Sequence, residues 1–215
     1  MTRRLLLLAM MVCLVLVSAV PAQAGADSDD LQRTGLTRAR LLARWALGES
    51  PSPLLAAFEG DCGDHVGNAF FLAPPIAENI ELRCRVPLGT AIVFSHAAWF
   101  ASIPADGSTD AEIIAVANEG FDPVSSWVTF DGHRVGLSGK TFNLGAFTVW
   151  SEPGSFYDEI GLGTGGVRTS LTGTVMTLPP QHACGRHVIE AAVDFGVPDE
   201  VFSVTYRIRI GRCDD

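Results

Sequence analysis

The sequence predicts a mainly β fold: an antiparallel two-sheet sandwich, jelly-roll or immunoglobulin-like, with a short N-terminal helix and one short internal helix. Three observations predict it. Along 201–210, VFSVTYRIRI, the apolar Phe202, Val204, Tyr206, Ile208 and Ile210 alternate with Ser203, Thr205, Arg207 and Arg209, the period of a half-buried strand. In SSWVTFDGHRVGL, Asp131-Gly132 divides two strand-like runs, a strong hairpin signal. Finally, about eight or nine strand-like runs are joined by turn residues with only short helices between them, which favours antiparallel layers over a parallel α/β sheet.

Taken in order, residues 1–24 read as a secretory signal peptide, with an uncleaved anchor as the competing reading because the apolar run is just short of the roughly 20 residues that span a bilayer. Arg3 and Arg4 precede an apolar run from Leu5 to Val20, then Pro21 and the small-residue pattern Ala22-Gln23-Ala24. Arg3-Arg4 could open a twin-arginine signal, but the short n-region and intensely apolar run favour the general export route. Cys13 lies inside that run and far from the cleavage point, which argues against a lipoprotein cysteine. Residues 25–35 are polar and are expected to be a flexible N-terminus.

A single domain spans 36–215. It opens on an amphipathic helix with Leu36, Ala39, Leu42, Ala43 and Leu47 near one stripe, Trp45 as anchor and Thr37 as N-cap; Gly48, Pro51 and Pro53 stop it. NAFFLAP and NIELRCRVP then read as paired strands, and AIVFS as a buried third. Thr109-x-x-Glu112 is a capping box and predicts the internal helix. FNLGAFTVW, VRTSLTGTVMTL, HVIEAAVDF and VFSVTYRIRI complete the strands.

The chain carries 15 basic and 24 acidic residues. Removing Arg3 and Arg4 with the signal leaves 13 − 24 = −11, with Lys140 as the one lysine, so nucleic acid is not an expected partner. After cleavage no later segment could form a stable membrane span. Cleavage also leaves four cysteines, an even number that in an exported chain reads as two disulfides. Three connectivities are open; Cys62–Cys84 with Cys184–Cys213 is favoured because each then closes a local unit.

Trp45 with Pro51 and Pro53, Cys62 ahead of AFFLAP, RCRVPLGTAIVF at 83–94, GRHVIE at 185–190 and SVTYRIRI at 203–210 resemble, in their order and spacing, a family of secreted bacterial β-rich proteins. The resemblance runs from about residue 40 to residue 210. Two features depart from the family: one tryptophan stands in the helix where two are frequent, and Cys184 and Cys213 are additions. The resemblance implies a β-rich secreted domain. It implies no activity, so no catalytic residues are carried over.

Each chemical motif has a plainer explanation. HACGRH could offer His182, Cys184 and His187 to a metal, but a strand would turn His187 away from the other two, and an oxidising compartment directs Cys184 to a disulfide. His187 shares a strand face with Ile189, Ala191 and Val193, where a histidine ordinarily hydrogen bonds at a core edge. Ser95-His96 lacks a nucleophile elbow, and strand neighbours face opposite ways.

Glu152, Asp158 and Glu159 could supply a glycosidase pair, although clusters of this kind arise by chance among so many acids. Asp61, Asp64 and His65 could face a cation, or simply be solvated beside Cys62. GLGTGG fits a flexible hairpin tip better than a dinucleotide loop. Trp99, Trp127 and Trp150 would stack on sugars only if exposed together.

The expectation is therefore a secreted, non-enzymatic binding module of the cell envelope or extracellular space, without a cofactor and with a partner the sequence does not identify. A glycan-active hydrolase and a carbohydrate-binding module are the alternatives.

Overall fold

The computed structural model describes residues 28–74, 79–136, 141–180, 182–196 and 201–212, with backbone alone over 28–34. Residues 1–24, expected to be a signal peptide, and Cys213 lie outside the described residues. Helix α1 (Ser28–Gly48) begins earlier than its apolar stripe suggests, so the backbone from Ser28 onward is helical where a flexible N-terminus was expected, and Thr37 lies inside the helix rather than capping it. The stripe buries Ala39, Leu42, Ala43, Ala46 and Leu47. Trp45 is buried as well, its ring edge-on to Phe71.

Gly48 is where α1 ends. A Cβ there would lie 2.4 Å from the Trp150 carbonyl oxygen, so only glycine lets the helix end approach the chain this closely. The short α2 (Pro53–Ala56) follows, its first turn held by the Ser52 side chain accepting from the Leu55 N–H. Among the described residues no helix is long and apolar enough to cross a membrane.

Twelve strands among the described residues form three sheets. The first contains β1 (Gly63–Val66), β2 (Ala69–Leu72), β4 (Ala91–Phe94) and β10 (Met176–Leu178), in the order β1-β2-β4-β10. The second contains β3 (Ile80–Val86), β6 (Ser125–Phe130), β7 (His133–Arg134), β11 (Gly185–Asp194) and β12 (Val201–Ile210), in the order β3-β12-β11-β6-β7. The third contains β5 (Ala98–Ser102), β8 (Thr141–Ser151) and β9 (Gly165–Thr174), in the order β5-β9-β8.

The fold is thus mainly β, but not purely antiparallel. β2 pairs with β4, and β3 with β12, in parallel. The expected pairing of NAFFLAP with NIELRCRVP does not occur: those segments are β2 and β3, and they enter different sheets. Periodicity reports which face of a strand is apolar, not which strand sits beside it.

The first and third sheets share chain continuity. β4 runs into β5 through Ser95–Ala97, and β9 into β10 through Val175, with the Thr174 N–H donating to the Ala97 carbonyl across the bend at 2.9 Å. α1 packs against this composite surface, while Phe94 meets Tyr206 of the second sheet at 6.4 Å between ring centroids. On the other face of the third sheet lies α3 (Asp110–Gly120), which buries Ile113 and Ala117 against Ala101. Both halves of its predicted capping box are formed.

Asp131 and Gly132 join β6 to β7 with φ of 49° and 77°, the left-handed geometry that a two-residue hairpin of this twist requires. Cys62, just before β1, is bonded to Cys84 in β3, tying the first sheet to the second with both residues buried. Cys184 is also disulfide-bonded.

Candidate functional site

The bend between β4 and β5 places Ser95, His96 and Ala97 beside the inner face of α1. A cavity of about 450 Å³ opens there, within the range of small-molecule sites. Its walls are mostly apolar: Ala43 and Ala46 of α1, Leu54, Phe100, Phe142 and Leu171. Trp99 and Ile160 also line it and are solvent-exposed, which gives it an outlet.

Its polar side chains are nearly all engaged. Ser95 donates from Oγ to the Ala97 carbonyl at 3.1 Å. Asp106 Oδ2 accepts from the Ser102 N–H at 2.8 Å. His96, 1% exposed, holds Thr174 Oγ1 at 2.9 Å through Nδ1, while its Nε2 is buried without a hydrogen-bond partner. Burial pushes the imidazole pKa down to about 4, so the ring is neutral at neutral pH. The ring is thus uncharged and keeps one unused polar atom beside a largely apolar chamber, while the Ser95 hydroxyl is directed to the Ala97 carbonyl.

Which form Nε2 takes depends on the Thr174 hydroxyl. Thr174 Oγ1 also lies 3.3 Å from the Ala97 carbonyl. If its proton goes to that carbonyl, the imidazole donates from Nδ1 and Nε2 presents a lone pair; if it goes to Nδ1, Nε2 carries the hydrogen. A ligand hydroxyl can satisfy both forms.

Elsewhere the predicted residues separate. Glu152 lines a recess with Arg44, Glu49, Thr148 and Trp150, of which Asp158 and Glu159 are not part. Asp158 accepts from the Gly154 N–H at 2.9 Å, and Glu159 ends the short α4 (Phe156–Glu159). Burial, then repulsion from Glu152 and Asp64, raises the Glu49 carboxyl above its usual pKa. The Glu49–Glu152 neighbourhood was not legible in the sequence, because these residues lie far apart along the chain and converge only where α1 meets β8.

The three tryptophans form no common platform. Trp127 is half-buried in the second sheet, whereas Trp99 and Trp150 are exposed in the third. Trp99 pairs with Thr172 and Trp150 with Gly166, so 172 − 166 = 6 positions, roughly 20 Å, separate them along β9.

His187 occupies the core-edge position its register predicts. Its Nδ1 lies 2.8 Å from Asp131 Oδ2, and its ring stacks on Phe130 with centroids 5.2 Å apart. His182 is exposed. Among the described residues no three His, Cys, Asp or Glu side chains cluster as metal ligands. Asp61 and Asp64 instead accept from nearby backbone N–H groups, at 3.4 and 2.6 Å.

No family model matches the chain, and no curated protein does. Among solved structures it is similar to one described as "Structure of PbICP-C in complex with falcipain-2", at 9% identity, covering 67% of this chain and 98% of that one with a TM-score of 0.24. A likeness of that size carries no argument about fold or function.

Proposed function

We propose that this is an exported, non-enzymatic β-sandwich domain that works by binding a small apolar molecule bearing one hydroxyl. Residues 1–24 would be removed on export and Cys184 joined to Cys213. The composite first and third sheets would form one layer of the sandwich and the second sheet the other. The observation that carries the binding function is that His96, whose buried Nε2 has no hydrogen-bond partner, lines a largely apolar cavity. Burial of the ligand body supplies the affinity, and the hydroxyl's bond to Nε2 orients it.

The probes are 2-naphthol and naphthalene, which share a hydrocarbon frame and differ by one hydroxyl. Fluorescence titration should show 2-naphthol binding roughly fivefold more tightly than naphthalene, the worth of one neutral hydrogen bond. His96→Phe should abolish that preference, and Ala46→Phe, which fills the cavity, should abolish both bindings. Equal affinities for the wild-type protein would reject the His96 contact, and no binding of either probe would reject the cavity as a site.

A second reading, a carbohydrate-contacting or glycan-cleaving surface, is favoured by Trp150, 72% exposed beside Glu49 and Glu152. Soluble-glycan binding that Trp150→Ala removes and Ala46→Phe leaves intact would select it.

A further inference from the structure

Five arginines converge on the outer face of the second sheet. In register, Arg85 of β3 lies beside Arg209 of β12, and Arg209 lies opposite Arg186 of β11. One step along the sheet, Arg83 lies beside Arg207. All five are exposed. The strand spacing makes this an array roughly 10 Å across three strands and roughly 7 Å along them.

The array concentrates five of the chain's 15 basic residues on a protein of net charge −9. Like charges placed directly opposite on a sheet destabilise it. Glu81 answers part of the repulsion, meeting Arg207 at 2.9 Å and Arg83 at 3.6 Å. The row Arg85, Arg209 and Arg186 has no carboxylate within ion-pair distance among the described residues. A solvated face needs no such row. A site for an anion does, and guanidinium is the group suited to forked contacts with sulfate, phosphate or carboxylate.

We infer that this face binds a linear anionic polysaccharide, a site separate from the cavity and independent of what the cavity holds. The dimensions favour a thin chain over a membrane. Glu81 and Glu190 border the array on the same face, and the rest of the molecule is acidic, so a broad anionic lipid surface would be repelled around a small attractive centre. A polymer chain one sugar wide touches the arginine rows alone.

The probe is heparin, a sulfated polysaccharide, titrated against the full exported protein by calorimetry at low and moderate salt. The wild-type protein should bind, more weakly as salt rises. Replacing Arg85, Arg186 and Arg209 together by glutamine should weaken binding at least about tenfold, the loss expected for several charge-assisted hydrogen bonds. The same charge change on α1, Arg38, Arg40 and Arg44 to glutamine, should change it less than about twofold. Thermal melting provides the folding control, because removing a like-charge row should leave the melting temperature unchanged or higher. Equal losses in the two triple variants would overturn the site, as would no binding by the wild-type protein. Binding to phosphatidylglycerol vesicles that depends on the same three arginines, with heparin inert, would overturn the polysaccharide in favour of a membrane.

Discussion

His96 illustrates how a single position changes meaning between chain and fold. In the sequence it is half of a Ser95-His96 dipeptide with no elbow around it. In the molecule both side chains are buried at a bend, Ser95 is spent on the Ala97 carbonyl, and the imidazole is left with one free nitrogen. Its ionisation also couples to stability. The folded value of about 4 lies below the unfolded value near 6.5, so between those limits the unfolded chain binds the proton and the folded one resists it. The contribution is complete above pH 6.5 and is lost as pH falls through 4, roughly 3 kcal/mol in all. Urea unfolding of wild type and His96→Phe at several pH values should show the wild type losing that much more than the variant between pH 7 and pH 4. Parallel curves would mean the imidazole is not buried neutral.

Elements were legible where local chemistry decides them. The hairpin at Asp131-Gly132, the Thr109/Glu112 capping box and the alternation of β12 all occur where their residues place them. Backbone conformation there depends on groups three or fewer residues apart. Accordingly, Thr109→Ala, which removes the acceptor for the Glu112 N–H, should lower stability by about 1 kcal/mol in denaturant unfolding while leaving probe binding in the cavity unchanged. Strand partnership was less legible. β3 finds its neighbour in β12, more than a hundred residues on, because its alternating apolar face matches that strand's inner face, and no adjacent residue encodes this.

At the scale of the whole molecule, cross-links and charge set the expectations. Cys62–Cys84 closes a segment of 22 residues and ties two sheets together, which on the loop-entropy account is worth roughly 3 kcal/mol. Reduction should therefore lower the melting temperature by at least roughly 6 to 12 °C for a domain of this size, since the Cys184 bond is released with it. If the proposed export and cleavage occur, non-reducing peptide mapping should recover Cys62 with Cys84 and Cys184 with Cys213, on a chain beginning at Gly25. An unchanged melting temperature under reductant would deny the cross-link a stabilising role, and a Cys184 peptide joined elsewhere would reject that pairing.

By itself the sequence determined the β-rich character, the Asp131-Gly132 turn, the Thr109/Glu112 cap and the acidic balance, and it favoured the Cys62–Cys84 pairing among its alternatives. Those properties follow from period, local hydrogen bonding and composition, which act over a few residues or over the chain as a total. Only the tertiary structure decided that β3 lies parallel to β12, that Glu49 meets Glu152, that His96 faces a cavity and that five arginines share one sheet face. Each of these depends on residues distant in sequence being brought within a few ångströms, and that proximity is set by the packing of sheets and α1 around a common core, which no local pattern records.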